Sequence, residues 1–323
     1  MTQEHFFVTG ALGCIGAWAV KNLIEDGAAV TVFDLGTNKH RLELVMSADV
    51  LDEINFVHDN ITNTEAVISA VAQCQATHIL HLAALQVPFC KANPVMGASV
   101  NVVGTVNVFE AAKKAGIPQV TYASSLAVYG AKELYEEELL THHSAHHPGT
   151  LYGVYKQANE GTGRIYWQNS AIASLGLRPY TVYGPARDQG MTSTPTKAML
   201  AAAMGRPYHI SFGGYSGFQL ADDVAKTLIQ MARTPFQGSE AYNIAGQIVH
   251  MREVVAAIEA AEPSARGQIT FEDSSLPFPK GQEEDELQAL LGTVPNTPLA
   301  EGVAGTIEHF KRALAEGRVE WQD

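Results

Sequence analysis

Apolar and polar positions along this chain switch repeatedly between two periods. Short apolar runs rich in Val, Phe and Ile stand at residues 6–8, 29–33, 54–57, 77–82, 119–123 and 171–178. Each is short enough for a buried strand, and stretches with apolar residues at helical spacing separate them: 14–26, a helix opening near Asn63, 94–115 and 151–170. Strand, turn and helix therefore alternate, which predicts right-handed βαβ units and a doubly wound parallel α/β sheet of the Rossmann type. After Gly184 the rhythm changes to helices over 194–204, 220–232, 251–261 and 299–315, with short strands at 242–244 and 268–271. The chain is expected to divide into a dinucleotide-binding domain over 1–180 and a smaller, mainly substrate-binding lobe over 181–323. Strands near 217–247 are expected to rejoin the first sheet.

The first strand breaks at Gly10 and passes directly into a helix through Gly10, Gly13 and Gly16, with Cys14 and Ile15 inside the loop. Such a turn presents backbone N–H groups and the positive end of a helix dipole, and its glycines let a pyrophosphate reach the main chain. The second apolar run ends at Asp34, about 20 residues on, where a carboxylate can accept hydrogen bonds from a ribose diol. That carboxylate repels a 2′-phosphate, so the pairing predicts NAD rather than NADP.

Composition adds limits. With 323 residues, 46% of them hydrophobic and 17% charged, the chain can bury a large core. A net charge of −13 without a Lys/Arg-rich run excludes nucleic acid and anionic membrane as natural partners. No apolar run looks long enough to span a bilayer, and no basic region followed by an apolar stretch opens the chain, so a cytoplasmic protein is expected. Cys14, Cys74 and Cys90 lack CxxC spacing and read as reduced thiols.

Further candidates sit at strand ends. Asp59, Asn60 and Ile61 could flank an adenine, although Asp59 could equally cap the helix that follows. Leu82, Ala83 and Ala84 let backbone lie against a cofactor, and His81 reads as a hydrogen-bonded core residue. Asn101 in a helix of small and apolar residues needs a buried partner. Ser124 and Ser125 end the fifth strand, where open α/β sheets place ligands. Tyr152 and Lys156, four apart, project from one helix face. The loop histidines His142, His143, His146 and His147 match no familiar metal spacing, so no metal is assigned.

Taken together, the chain resembles the extended short-chain dehydrogenase/reductase family, the NAD-dependent epimerase/dehydratase group. The residues that carry the resemblance are Thr9 to Gly16, Asp34, His81 to Ala84, Ser124 to Gly130, Tyr152 to Lys156, Leu177-Arg178-Pro179 and Val182 to Pro185. The resemblance implies a catalytic set of Ser125, Tyr152 and Lys156 with Asn101 in support. Tyr152 and Lys156 would also touch NAD, and the protein would be a homodimer paired through the helices at 94–115 and 151–170. It implies a tyrosine phenolate stabilised by the lysine ammonium and the oxidised nicotinamide. Three departures from the pattern stand out. Ser125-Leu126-Ala127 replaces the Thr-Asp-Glu of dehydratases, Thr181 replaces an Asn that holds a diphosphate in epimerases, and Phe278 to Gln282 replaces a late Arg-Pro-Gly-Asp. The expected activity is NAD-dependent oxidation of a secondary alcohol on a small sugar-like or hydroxy-acid substrate, the alternative a nucleotide-sugar 4-epimerase. Ser125, Arg178, Thr181, Arg187, Thr192 and Ser193 are the candidate substrate residues, although Arg178 could equally be a structural ion-pair partner.

Overall fold

A computed structural model describes residues 4–321. Its first strand, β1 (His5–Thr9), is buried almost throughout, as a central parallel strand must be when both faces are covered. The chain then turns at Gly10 into helix α1 (Cys14–Glu25) and returns as β2 (Ala29–Asp34), parallel to β1 with Phe7 opposite Thr31. The pattern repeats through β3 (Asn55–His58), β4 (His78–His81) and β5 (Gln119–Ala123).

Seven strands form the main sheet. From one edge the order is Ser239–Asn243, Ala173–Arg178, β5, β4, β1, β2, β3, every neighbour parallel. The order reverses between β1 and β4, so a crevice opens at their carboxyl ends. Helices Thr64–Gln73 and Gly104–Ala115 pack under one face around Phe7, Phe33 and Phe109. On the other face α1 packs against Ala221–Arg233, whose apolar side is wholly buried.

Of the strands expected near 217–247, Ser239–Asn243 joins the main sheet. Tyr215–Leu220 does not; it lies between Thr181–Tyr183 and Gln247–His250 in a separate three-stranded sheet. Helices Thr194–Ala203, Met251–Ala261 and Leu299–Ala315 pack together beside it.

Residues 94–115, expected as one regular helix, consist of Pro94–Ala98, a π-helical turn Ser99–Val103, and Gly104–Ala115. The wide turn carries Asn101, whose side chain is committed to the backbone of Leu85: Oδ1 accepts from its N–H (2.7 Å) and Nδ2 donates to its carbonyl (3.0 Å). The same segment corrects the expectation that no stretch is long and apolar enough to span a bilayer. By length and composition Pro94–Ala115 is, but half of its most apolar window is buried inside the fold. Short helices at His40–Val45, Val87–Ala92 and Asp285–Leu291 were not expected from periodicity, since one or two turns leave too few positions to define a face.

Asn107 shows how much a buried polar group contributes here. Its Nδ2 donates to the Ile61 carbonyl (2.9 Å) and its Oδ1 accepts from Thr64 Oγ1 (2.8 Å), tying the helix to the loop after β3. Asn107→Ala strands both partners and is expected to cost about 2 kcal/mol. Denaturant unfolding measures this, and an unchanged midpoint would refute it.

Candidate active site

The glycine loop is shaped by close approach. Gly10 has φ +70°, and a Cβ there would lie 2.5 Å from the Ala83 nitrogen; one on Gly16 would lie 2.5 Å from the Gly10 carbonyl oxygen. Beyond them, α1 starts at Cys14 with no acidic residue in its first turn and no side chain capping it. The first-turn N–H groups of Cys14, Ile15 and Gly16 have no acceptor within the helix. A cradle that any side chain would fill, ending in aimed N–H donors, fits a pyrophosphate. Cys14 lines the same cavity, and burial pushes its thiol up to about 12, so it serves as an inert wall.

Strand ends behind the loop are stitched together. Thr9 Oγ1 accepts from the Leu82 and Ala83 N–H groups (3.3 Å each) and bonds His81 Nδ1 at 2.7 Å. His81 Nε2 reaches Thr105 Oγ1 at 3.0 Å, and that hydroxyl donates to the Asn101 carbonyl. Burial, aided by the Lys156 charge, pushes His81 down to about 3, so this ring is a neutral strut.

Asp34, the carboxylate expected to meet a ribose, accepts from the Leu12 N–H and the Gly36 N–H, both at 3.0 Å. Its carboxylate thus fixes the loops around it while facing the cavity. Asp59, Asn60 and Ile61 line the adjoining wall, as do Leu82, Ala83 and Ala84. The helix after β3 is capped by Asn63, which accepts from the Ala66 N–H, and not by Asp59.

Across the crevice, Thr150 caps helix Leu151–Ser170 by accepting from the Gly153 N–H (3.1 Å). Gly153 lets this helix press onto the serine segment, since a Cβ there would lie 2.0 Å from the Ala127 carbonyl oxygen. Ser125, Tyr152 and Lys156 are thereby brought to one wall. Ser125 Oγ accepts from the Ala127 N–H (3.1 Å) and lies near enough to Tyr152 to favour its ionised form. Lys156 is almost fully buried, donates from Nζ to the Ala123 carbonyl (2.6 Å) and lies 5.7 Å from the Tyr152 ring centroid. Burial pushes the lysine down to about 8, partly offset by Cys90 and Glu160. Burial also raises the Tyr152 phenol, against the pull of the Ser125 hydroxyl and the Arg187 charge.

Four expected contacts are not made. Asn101 is buried beneath the wall and acts through Leu85, which lines the cavity. Arg178 is buried in a two-pronged ion pair with Glu160 (2.9 and 2.8 Å) and donates to Tyr129 Oη, so its guanidinium is spent on structure. Thr181 is fully buried and bonds Ser216 Oγ at 2.6 Å. Ser193 donates to the Gly190 carbonyl inside its own loop. Arg187 and Thr192 do line the cavity, with Nη2 donating to Thr192 Oγ1 at 3.1 Å and the buried Nε lacking a partner. His40, Arg41, Gln86, Tyr180 and Phe278 also line it and were not expected from the sequence. They lie on loops or at the start of short helices that carry no motif, and only the fold brings them there.

The cavity that joins these walls holds about 770 Å³ and runs from Asp34 past the glycine loop to Ser125 and Arg187. A model of the NAD dependent epimerase/dehydratase family matches residues 6–245. A UDP-glucose 4-epimerase of Mycolicibacterium smegmatis is 32% identical over 318 residues, spanning 94% of this chain and 97% of its own. The solved structure of Thermus thermophilus UDP-glucose 4-epimerase in complex with NAD superposes with a TM-score of 0.82 at 25% identity, over 96% of this chain and 99% of that one. A partial consensus L-threonine 3-dehydrogenase shares the fold, with a TM-score of 0.84 at 22% identity over 95% and 99% of the two chains.

The buried ammonium predicts a pH signature. A lysine lowered to about 8 in the fold, from 10.5 when free, penalises the folded state in full below pH 8, and the penalty fades between about pH 8 and 10.5. Relative to wild type, Lys156→Met should therefore be most favoured below pH 8 and lose that advantage as pH rises toward 10.5. Thermal melts of the two proteins across that range measure the gap; a gap that widens with pH would reverse the sign argued here.

Proposed function

Because the chain belongs to the NAD-dependent epimerase/dehydratase family, and so is an NAD-dependent extended short-chain dehydrogenase/reductase, we propose that it oxidises a secondary alcohol on a small sugar-like or hydroxy-acid substrate without a nucleotide. One observation carries the choice: among the described residues, Arg187 is the single Lys or Arg on the substrate side of the cavity. The other Lys and Arg residues lining the cavity as a whole, Arg41 and Lys156, are committed to Asp188 and to the Ala123 carbonyl. A nucleoside diphosphate asks for more positive charge than one guanidinium, whereas a single carboxylate matches its fork. The two departures from the epimerase pattern support the same reading. Thr181 turns away to Ser216, and Lys280 pairs with Glu138 on the surface while Phe278 forms cavity wall.

When bound, NAD supplies the acceptor for the hydride that leaves the carbinol carbon. Ser125 Oγ holds the substrate hydroxyl and Tyr152 Oη takes its proton as the C–O bond becomes a carbonyl. Arg187 supplies positive charge near the phenol, and Lys156 holds the serine strand end through Ala123. Tyr180, Leu276 and Phe278 close the substrate end with apolar surface that limits water. Segment 181–323 contributes most of this end.

A second reading, nucleotide-sugar 4-epimerisation, is favoured by the Mycolicibacterium smegmatis relative. Incubation with NAD and a panel of sugars, uronates and hydroxy acids, followed by NADH absorbance, separates the two. Net NADH from a free acid or sugar supports the proposal; interconversion of UDP-sugars without net NADH replaces it. Tyr152→Phe should lower turnover by roughly 100- to 10,000-fold while NAD still binds.

We also infer a homodimer. Val95, Met96 and Val103 on the 94–115 segment and Leu151, Val154 and Ile165 on the neighbouring helix are exposed apolar residues, 77% in the case of Val95. Light scattering should give twice the 34.7 kDa of the chain, and Val154→Asp should shift it to monomer; a monomeric wild type rejects the pairing.

A further inference from the structure

Two loops on opposite sides of the cavity are tied by charge at its rim. The first follows β2 and contributes Gly36, His40 and Arg41 to the cavity; the second, over residues 184–193, contributes Arg187 and Thr192. Asp188, on the second loop, reaches the first. Its Oδ1 accepts from Arg41 Nε at 2.9 Å, with Arg41 Nη2 at 2.8 Å, and its Oδ2 lies 3.0 Å from His40 Nε2. Burial opposes ionisation of Asp188, but the bonds from Arg41 and His40 outweigh it and hold the carboxyl below its usual range.

Arg41 extends the tie to a third segment. Its Nη1 donates to the Leu12 carbonyl at 2.8 Å, inside the glycine loop, where the Leu12 N–H is held by Asp34. One guanidinium thus joins the pyrophosphate loop, the ribose loop and the substrate-side loop. The near end of the 184–193 loop is anchored differently, by a neutral bond from Trp18 Nε1 to the Pro185 carbonyl (3.0 Å). Beyond that anchor the loop turns through left-handed backbone at Ala186 (φ 73°) and Gly190 (φ 97°). It has a fixed root and a charged, half-exposed tip.

We propose that Asp188 is a clasp that retains the dinucleotide: its bonds to Arg41 and His40 hold the two loops together across the cofactor end of the cavity. Cofactor leaves when these bonds open. The clasp rests on the NAD site and not on the choice of substrate. It bears on that choice, because a net oxidation must release NADH in every cycle whereas an epimerisation need not. Asp188 is a positioning residue, acting through loops that line the site.

NADH dissociation from the binary complex, followed by its fluorescence in a stopped-flow chase with excess NAD, tests this without any substrate. Asp188→Asn keeps the shape and removes the charge, and at low salt should release NADH roughly fivefold faster than wild type. Added salt screens an exposed ion pair, so the rates of the two proteins should converge at high salt. Equal rates at low salt overturn the clasp. So does a ratio that salt leaves unchanged, which would mean altered packing and not a charged tie. Should the variant fold poorly, the salt response of wild type alone decides the matter: release that quickens with salt supports the clasp, and release that does not rejects it. Failure to find a substrate for net oxidation leaves this measurement untouched.

Discussion

A lysine ammonium buried at the end of a parallel sheet is the constraint on which the rest of this site depends. Lys156 reaches the Ala123 carbonyl from a helix whose first turn is pressed against the serine segment, and its environment brings it down to about 8. Such a charge is tolerated only when hydrogen bonding and nearby negative potential offset lost hydration. Glu160, one turn further along the same helix, provides that potential. It also accepts from Ser124 Oγ at 2.5 Å, so the helix grips the strand end at two points.

Glu160 in turn needs its own partner, and Arg178 answers it. The pair is buried, and Arg178 also donates to Tyr129 Oη, while Tyr129 donates to Asn243 Oδ1 at 2.8 Å on the edge strand of the sheet. Removing one member of such a network strands an uncompensated charge, so its members hold one another in place. Arg178 is therefore held away from the cavity, which Arg187 lines. A residue that looked functional by its charge proves to support the wall on which the functional residues stand.

On the opposite side of the crevice the constraint is space. Gly10 and Gly16 allow backbone to approach backbone at distances no side chain permits, and the Thr9 hydroxyl locks the β1 and β4 ends behind them. The cavity is thus bounded by closely packed main chain at the glycine loop and by a charged contact from Arg41 and His40 to Asp188 at its rim.

Much of this was legible in the residues alone. Alternating periods placed the strands at the centre of the sheet, glycine spacing placed the tight turn into α1, the end of the second apolar run placed Asp34 at the cavity, and the four-residue step from Tyr152 to Lys156 put both on one helix face. These features are local, set by backbone geometry over a few neighbours. What the sequence could not assign was where long or polar side chains spend their hydrogen bonds. Arg178 goes to Glu160, Thr181 to Ser216 35 positions away, and Arg41 to Asp188 across 147. Asn101 sits in a π turn and spends its amide on Leu85. Partner choice for a buried polar group depends on what the fold carries into hydrogen-bonding reach, and no local pattern encodes that, so the far wall of the cavity and the Arg41–Asp188 contact were decided only by the tertiary structure.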